Sequence, residues 1–131
     1  MGGEHANNSF SVVRFDMNRL RPYSSVKELD EAIIKGLQDF TIFNDLDIFP
    51  ESTGTGTLLK IIYYLYKTRG QVVILIDEYD KPILDNLTNL KKANEMREVL
   101  CSFYLTLKSS DKYLRFVVLT EISKFNKVGV F

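Results

Sequence analysis

VVILIDEYDKP, residues 72–82, decides how this chain is read. Five apolar residues run without a break, from Val72 to Ile76. Two acids follow at once, then a tyrosine, a third acid, a lysine and a proline. Apolar side chains at consecutive positions, rather than alternate ones, predict a strand covered on both faces, as in a parallel sheet between helix layers. The acids then lie at the carboxyl end of that strand. Open parallel α/β sheets gather their ligands at this end.

The neighbouring segments fit such a sheet. FSVVRFD predicts a strand over about 10–15, ending on Asp16. A helix follows, opened by a capping box of Ser25 and Glu28, with Val26, Leu29, Ile33 and Leu37 at helical spacing. Gly36 weakens it slightly. Residues 41–57 read as a loop pinned to the core by Phe43, Leu46, Ile48 and Phe49. A second helix is expected from about Thr57 to Thr68, capped by Thr55 or Thr57 and stopped at Gly70. Residues 94–108 give a third amphipathic helix, with Met96, Val99, Leu100, Phe103, Tyr104 and Leu107 on one face. YLRFVVLT, 113–120, is a third strand. With right-handed crossovers this order gives an α/β fold: a three-layer parallel sheet flanked by helices. Residues 1–9 are expected to be disordered or loosely attached, and 10–131 to form one domain. Val128, Val130 and Phe131 read as the start of a further element.

Composition narrows the function classes. The chain has 131 residues, enough for one domain with a core. Lys+Arg and Asp+Glu both number 17, so the formal net charge is zero. That speaks against a dedicated nucleic-acid or polybasic membrane binder and leaves little charge to oppose self-association. The one cysteine, Cys101, excludes an internal disulfide framework and suits a cytoplasmic setting, where it reads as a packing thiol rather than a nucleophile. The single histidine, His5, excludes a His-paired or His-rich metal site. No run approaches the ~18 apolar residues that span a bilayer.

The three strand ends deliver Asp16, then Asp77 with Glu78, then Thr120 with Glu121 to one edge. Asp77 is placed to hold a hydrated Mg²⁺, which typically uses one or two carboxylates and keeps several waters. Glu78 points elsewhere and can orient or deprotonate an attacking water. Asp16 either caps the turn into 17–21 or lines the site. Asp80–Lys81 reads as a solvent-exposed pair. STGTGTLLK, 52–60, is rejected as a phosphate loop. A GxxxxGK[ST] loop needs lysine directly after the last glycine and a strand before the first, whereas here Thr57 follows Gly56 and a loop precedes. It reads instead as a helix N-terminus, able to bind an anion weakly.

VVILIDEYDKPILDN, followed by EMREVLCSFYLTLKSSDKYLRFVVLTEISKFNKVGVF, resembles the AAA-ATPase-like proteins of bacteria. These are P-loop ATPases of the additional-strand class, often fused to a nuclease-like domain. The resemblance runs from about Phe10 to Phe131 and implies a partial P-loop NTPase core lacking the first strand. In that family the phosphate loop, an FGKS motif on the first strand, precedes the part that resembles Phe10. By resemblance, Asp77 is the Walker B metal ligand and Glu78 the catalytic acid. Thr120 matches the polar sensor, and Ser123 and Lys124 match the SKF motif. Relatives usually carry glycine where this chain has Glu121, whose carboxylate would repel a γ-phosphate unless it turns away. The resemblance implies Mg²⁺ and ATP in full-length relatives. Without a phosphate loop, this chain is expected to bind neither tightly and not to hydrolyse ATP alone. The missing strand would lie beside 114–120, so that edge is expected to pair with another copy in a homo-oligomer. A non-enzymatic interaction module is the alternative.

Overall fold

The computed structural model describes residues 10–122. The expectations for residues 1–9, for Ser123 and Lys124, and for Val128, Val130 and Phe131 lie outside these. The described elements are β1 (Ser11–Asp16), a 3₁₀ turn (Met17–Arg19), α1 (Val26–Phe43), α2 (Gly54–Arg69), β2 (Val72–Asp77), α3 (Lys81–Leu84), α4 (Leu90–Ser109), a second 3₁₀ turn (Asp111–Tyr113) and β3 (Leu114–Leu119). The three strands are parallel, in the order β1-β2-β3. The α/β class and the parallel sheet with flanking helices are as expected from the sequence.

Each long helix starts where a short polar side chain takes an orphan amide. Ser25 accepts from Glu28 N, Thr53 from Gly56 N, and Asn89 from Lys92 N. The capping box differs in one detail from the expected one. The Glu28 carboxylate accepts from the amide and hydroxyl of Ser24, at 2.7 and 2.8 Å, rather than from the amide of Ser25. These bonds hold the Glu28 carboxyl below the usual carboxylate range.

Helix α1 runs on to Phe43, beyond the expected loop boundary. Its end is a Schellman turn: Leu46 N donates to Thr41 O and Asp45 N to Ile42 O. Asp45 takes the left-handed position there, at φ 56°. The turn folds Leu46 into the core, where it is buried with Ile48, whereas Phe43 and Phe49 are 90% and 74% exposed. Two of the four expected loop anchors therefore hold the loop and two face solvent.

Gly36 has a packing role that propensity does not show. A Cβ there would lie 2.7 Å from Phe15 Cε1. The missing side chain lets α1 lie directly on the ring of Phe15, so a small loss of helix propensity permits close helix–sheet contact.

The core is one cluster on one face of the sheet. Val13 and Phe15 of β1, Val72, Ile74 and Ile76 of β2, and Leu114 of β3 meet Leu29, Ile33 and Leu37 of α1, Ile61, Ile62 and Leu65 of α2, and Met96, Leu100 and Phe103 of α4. Strand side chains alternate, so the intervening residues face the other way. Of these, Val12, Phe116 and Val118 are 47%, 52% and 41% exposed, and Arg14 is exposed too. Among the described residues the long helices therefore cover one face, where the apolar run of β2 predicted cover on both. Val73, in the middle of the second face, is buried all the same. Both neighbouring strands flank it.

In α4 the expected apolar face holds for Met96, Leu100, Phe103 and Leu107, but Tyr104 is exposed. Cys101 is exposed as well, contrary to its reading as a packing thiol. No described helix is long and apolar enough to cross a membrane.

Candidate functional site

The parallel register sets the site. Asp16 of β1 pairs opposite Asp77 of β2, and Leu119 of β3 opposite Ile76. The expected meeting of acids and a hydroxyl at one sheet edge is thus seen for Asp16, Asp77 and Thr120.

Thr120 is the stitch. Its hydroxyl donates to Asp77 Oδ1 at 3.3 Å and accepts from Glu78 N at 3.0 Å. Its backbone is tied on both sides: Thr120 N donates to Ile76 O, and Tyr79 N donates to Thr120 O, each at 2.9 Å. A hydroxyl is one donor and an acceptor at once, so one side chain can serve both partners. Asp80 extends the tie, since its Oδ1 accepts from Ile122 N at 3.1 Å. Lys81 pairs with Asp85 at 3.0 Å instead of with Asp80, so the expected Asp80–Lys81 pair is replaced by an i,i+4 contact within the turn.

Glu78 leaves the strand at φ 54°, a region sparsely populated by non-glycine residues. Backbones of this kind persist where surrounding bonds over-determine them. The paired bonds from Glu78 and Tyr79 to Thr120 do so here. Positive φ re-aims the chain directly after Asp77. The Glu78 carboxylate makes no hydrogen bond among the described residues.

Arg14 completes the site, and the residue-by-residue reading did not find it. Its Nε and Nη2 both donate to Asp77 Oδ2, at 3.1 and 2.7 Å. The Arg14 side chain is 69% exposed and that of Asp77 26%. The signal in the sequence was a lone cation inside an apolar strand, two residues before its closing acid. Only the register shows that this cation lies beside Asp77. Asp16, in contrast, accepts from Asn18 N at 2.9 Å and so caps the 3₁₀ turn while standing at the same edge. Both readings of Asp16 are compatible with that placement.

Glu121 lies on the helix side of the sheet. It lines a cavity of about 750 Å³ together with Met17, Ile76, Tyr79, Phe103 and Leu119. Burial, and then the negative charges of Glu121 and Asp80, push the Tyr79 hydroxyl up. Asp77 faces Arg14 on the opposite side, so Glu121 is turned away from the Asp77 carboxylate.

Three amides of the glycine segment are bonded within the chain. Gly54 N donates to Asp30 Oδ1 at 3.0 Å, Gly56 N to Thr53 Oγ1 and Thr57 N to Thr53 O. The Thr57 hydroxyl is also engaged, with Thr53 O and Glu51 N. The Asp30 carboxylate occupies the position at which a helix N-terminus attracts an anion. The cap is Thr53, and α2 begins three residues before the expected Thr57.

Comparison with known proteins agrees with this architecture. A family model described as "Predicted AAA-ATPase" matches residues 3–131. An uncharacterised protein in the vnfD 5′ region of Azotobacter chroococcum mcd 1 is 52% identical over 61 residues. That match spans 47% of this chain and 12% of the relative's length. No solved structure matches. The family match covers nearly the whole chain, including β1, Asp77 and Glu78 at the end of β2, and Thr120 after β3: the chain belongs to the AAA-ATPase-like family of predicted AAA-ATPases.

Proposed function

We propose that this chain supplies the metal-and-water wall of a nucleotide site and does not turn over ATP alone. The observation that carries this is the arrangement Asp77–Thr120–Glu78, in which one hydroxyl fixes the metal-side carboxylate and the amide of the next acid. In the proposed roles Asp77 binds Mg²⁺ through an oxygen, Glu78 orients or deprotonates the attacking water, and Thr120 positions both. Asp16, at the same edge, and Ser123–Lys124, in the SKF motif, are assigned to the nucleotide side.

The donor set supports Mg²⁺ carried by a nucleotide. Among the described residues no group of three or more His, Cys, Asp or Glu side chains converges on one point. A metal held tightly by protein alone would need such a group. Mg²⁺ needs only one or two carboxylates when phosphates and waters complete its shell. Bound there, it would neutralise charge developing on the transferred phosphoryl group.

The limit on activity comes from phosphate binding. This sequence contains no GxxxxGK[ST] loop. Both glycine amides of its one glycine-rich helix start are already bonded internally. A backbone nest and lysine for the β- and γ-phosphates are therefore not supplied. Calorimetry with ATP and Mg²⁺ tests this on the wild type and Asp77→Ala. Binding weaker than ~1 mM, about −4 kcal/mol, is expected. A wild-type affinity much tighter than that would overturn the reading.

The same proposal includes self-association along β3. That strand pairs only with β2 among the described residues, and its Phe116 and Val118 are half exposed. Unpaired parallel edges with apolar side chains invite strand addition. Light scattering should detect a dimer or larger species; a monodisperse monomer at high concentration would rule this out.

A further inference from the structure

We infer that Arg14 is a tethered cation standing on the metal position of Asp77, and that metal loading requires its release. The inference rests on the reading of Asp77 as the metal-facing carboxylate. Two guanidinium nitrogens converge on Oδ2, and Thr120 holds Oδ1. Both oxygens of Asp77 are therefore engaged by the chain's own donors. A divalent ion binds through an oxygen lone pair, so it competes with the guanidinium for Oδ2. The two cations also repel each other across a single carboxylate.

The geometry makes the competition reversible. Arg14 projects from β1, an edge strand among the described residues, and is 69% exposed, so the released guanidinium regains water at little cost. Thr120 remains on Oδ1 when Arg14 leaves, which keeps the carboxylate oriented. Arg14 thus acts on the metal position through Asp77, as a guard rather than as a ligand. In its guarding position it also neutralises a carboxylate that would otherwise carry an unpaired charge next to Asp16.

The test uses Mn²⁺ as the probe and reads binding without activity. Mn²⁺ broadens nearby amide signals, so the 131-residue chain is titrated in ¹⁵N-correlated spectra while Asp77, Glu78 and Thr120 are followed. Arg14→Gln should lower the Mn²⁺ concentration at half-broadening about five-fold, the scale set by an exposed ion pair. Arg14→Lys keeps the charge but loses the fork, and should give a smaller gain. Asp77→Asn should abolish the local broadening in both backgrounds. Equal or higher midpoints in Arg14→Gln and Arg14→Lys, with broadening still abolished by Asp77→Asn, overturn the guard and leave the metal reading standing. Broadening indifferent to Asp77→Asn overturns both.

Discussion

Thr120→Val isolates the stitch that organises the site. Valine keeps the β-branched shape at the end of β3 and removes only the hydroxyl. Two bonds are lost: the donation to Asp77 Oδ1 at 3.3 Å and the acceptance from Glu78 N at 3.0 Å. The first is long and the residue is exposed, so it contributes at the low end, about 0.5 kcal/mol. The second satisfies an amide in a left-handed turn at φ 54°, and its loss costs about 1 kcal/mol. The expected destabilisation is thus about 1.5 kcal/mol. With a urea slope of about 1.5 kcal/mol/M, the midpoint falls by about 1 M. Thr120→Ser should keep most of the stability, since it restores the oxygen. Amide exchange at Glu78 should quicken in Val and not in Ser. A valine variant within about 0.5 kcal/mol of wild type, the margin of ordinary surface effects, would refute the stitch as a structural element.

Asp45 sits in the left-handed position that closes α1, at φ 56°. Asp45→Gly should raise stability by about 0.5–1 kcal/mol in a denaturant melt, because glycine enters this region without a Cβ penalty. The Tyr23 hydroxyl is buried without a partner among the described residues, and its pKa is pushed up to about 12 by burial and then by the charge of Asp85. The unfolded chain loses that proton near pH 10, so the contribution is complete below about pH 10 and is lost as pH rises towards about 12. Tyr23→Phe should flatten that alkaline loss and add up to about 1 kcal/mol at neutral pH by removing the unpaired hydroxyl. Thermal melts between pH 9 and 12 compare the two; parallel curves for wild type and Tyr23→Phe would refute the assignment.

The strands, the long helices and their order were legible because each rests on a local pattern. The unbroken run Val72–Ile76, the Ser25 cap and the α1 periodicity all survive in the structure. What the pattern misjudged depends on long-range placement. The run in β2 implied cover on both faces, yet the described helices lie against one, and Val73 is buried even so. Tyr104 and Cys101 carried apolar expectations at helical spacing, but among the described residues that part of α4 stays exposed. Phe43 and Phe49 failed as anchors because the Schellman turn selects Leu46 instead. In the site, Asp77 and Thr120 could be placed from strand ends alone. Arg14 could not, because its role depends on the β1–β2 register, in which Arg14 pairs opposite Leu75 and Asp16 opposite Asp77. The direction of Glu121 depends likewise on which side of the sheet the chain leaves β3.

In the proposed function the nucleotide-facing edge is formed by the ends of β2 and β3 and not by the glycine-rich start of α2. Chemical-shift mapping with millimolar Mg²⁺ and a slowly hydrolysed ATP analogue tests it directly, because weak binding is still visible there. Changes are expected to centre on Asp77, Glu78, Tyr79 and Thr120 and to saturate only above ~1 mM. Changes centred on Thr53–Thr57, or saturation at micromolar nucleotide, would contradict it.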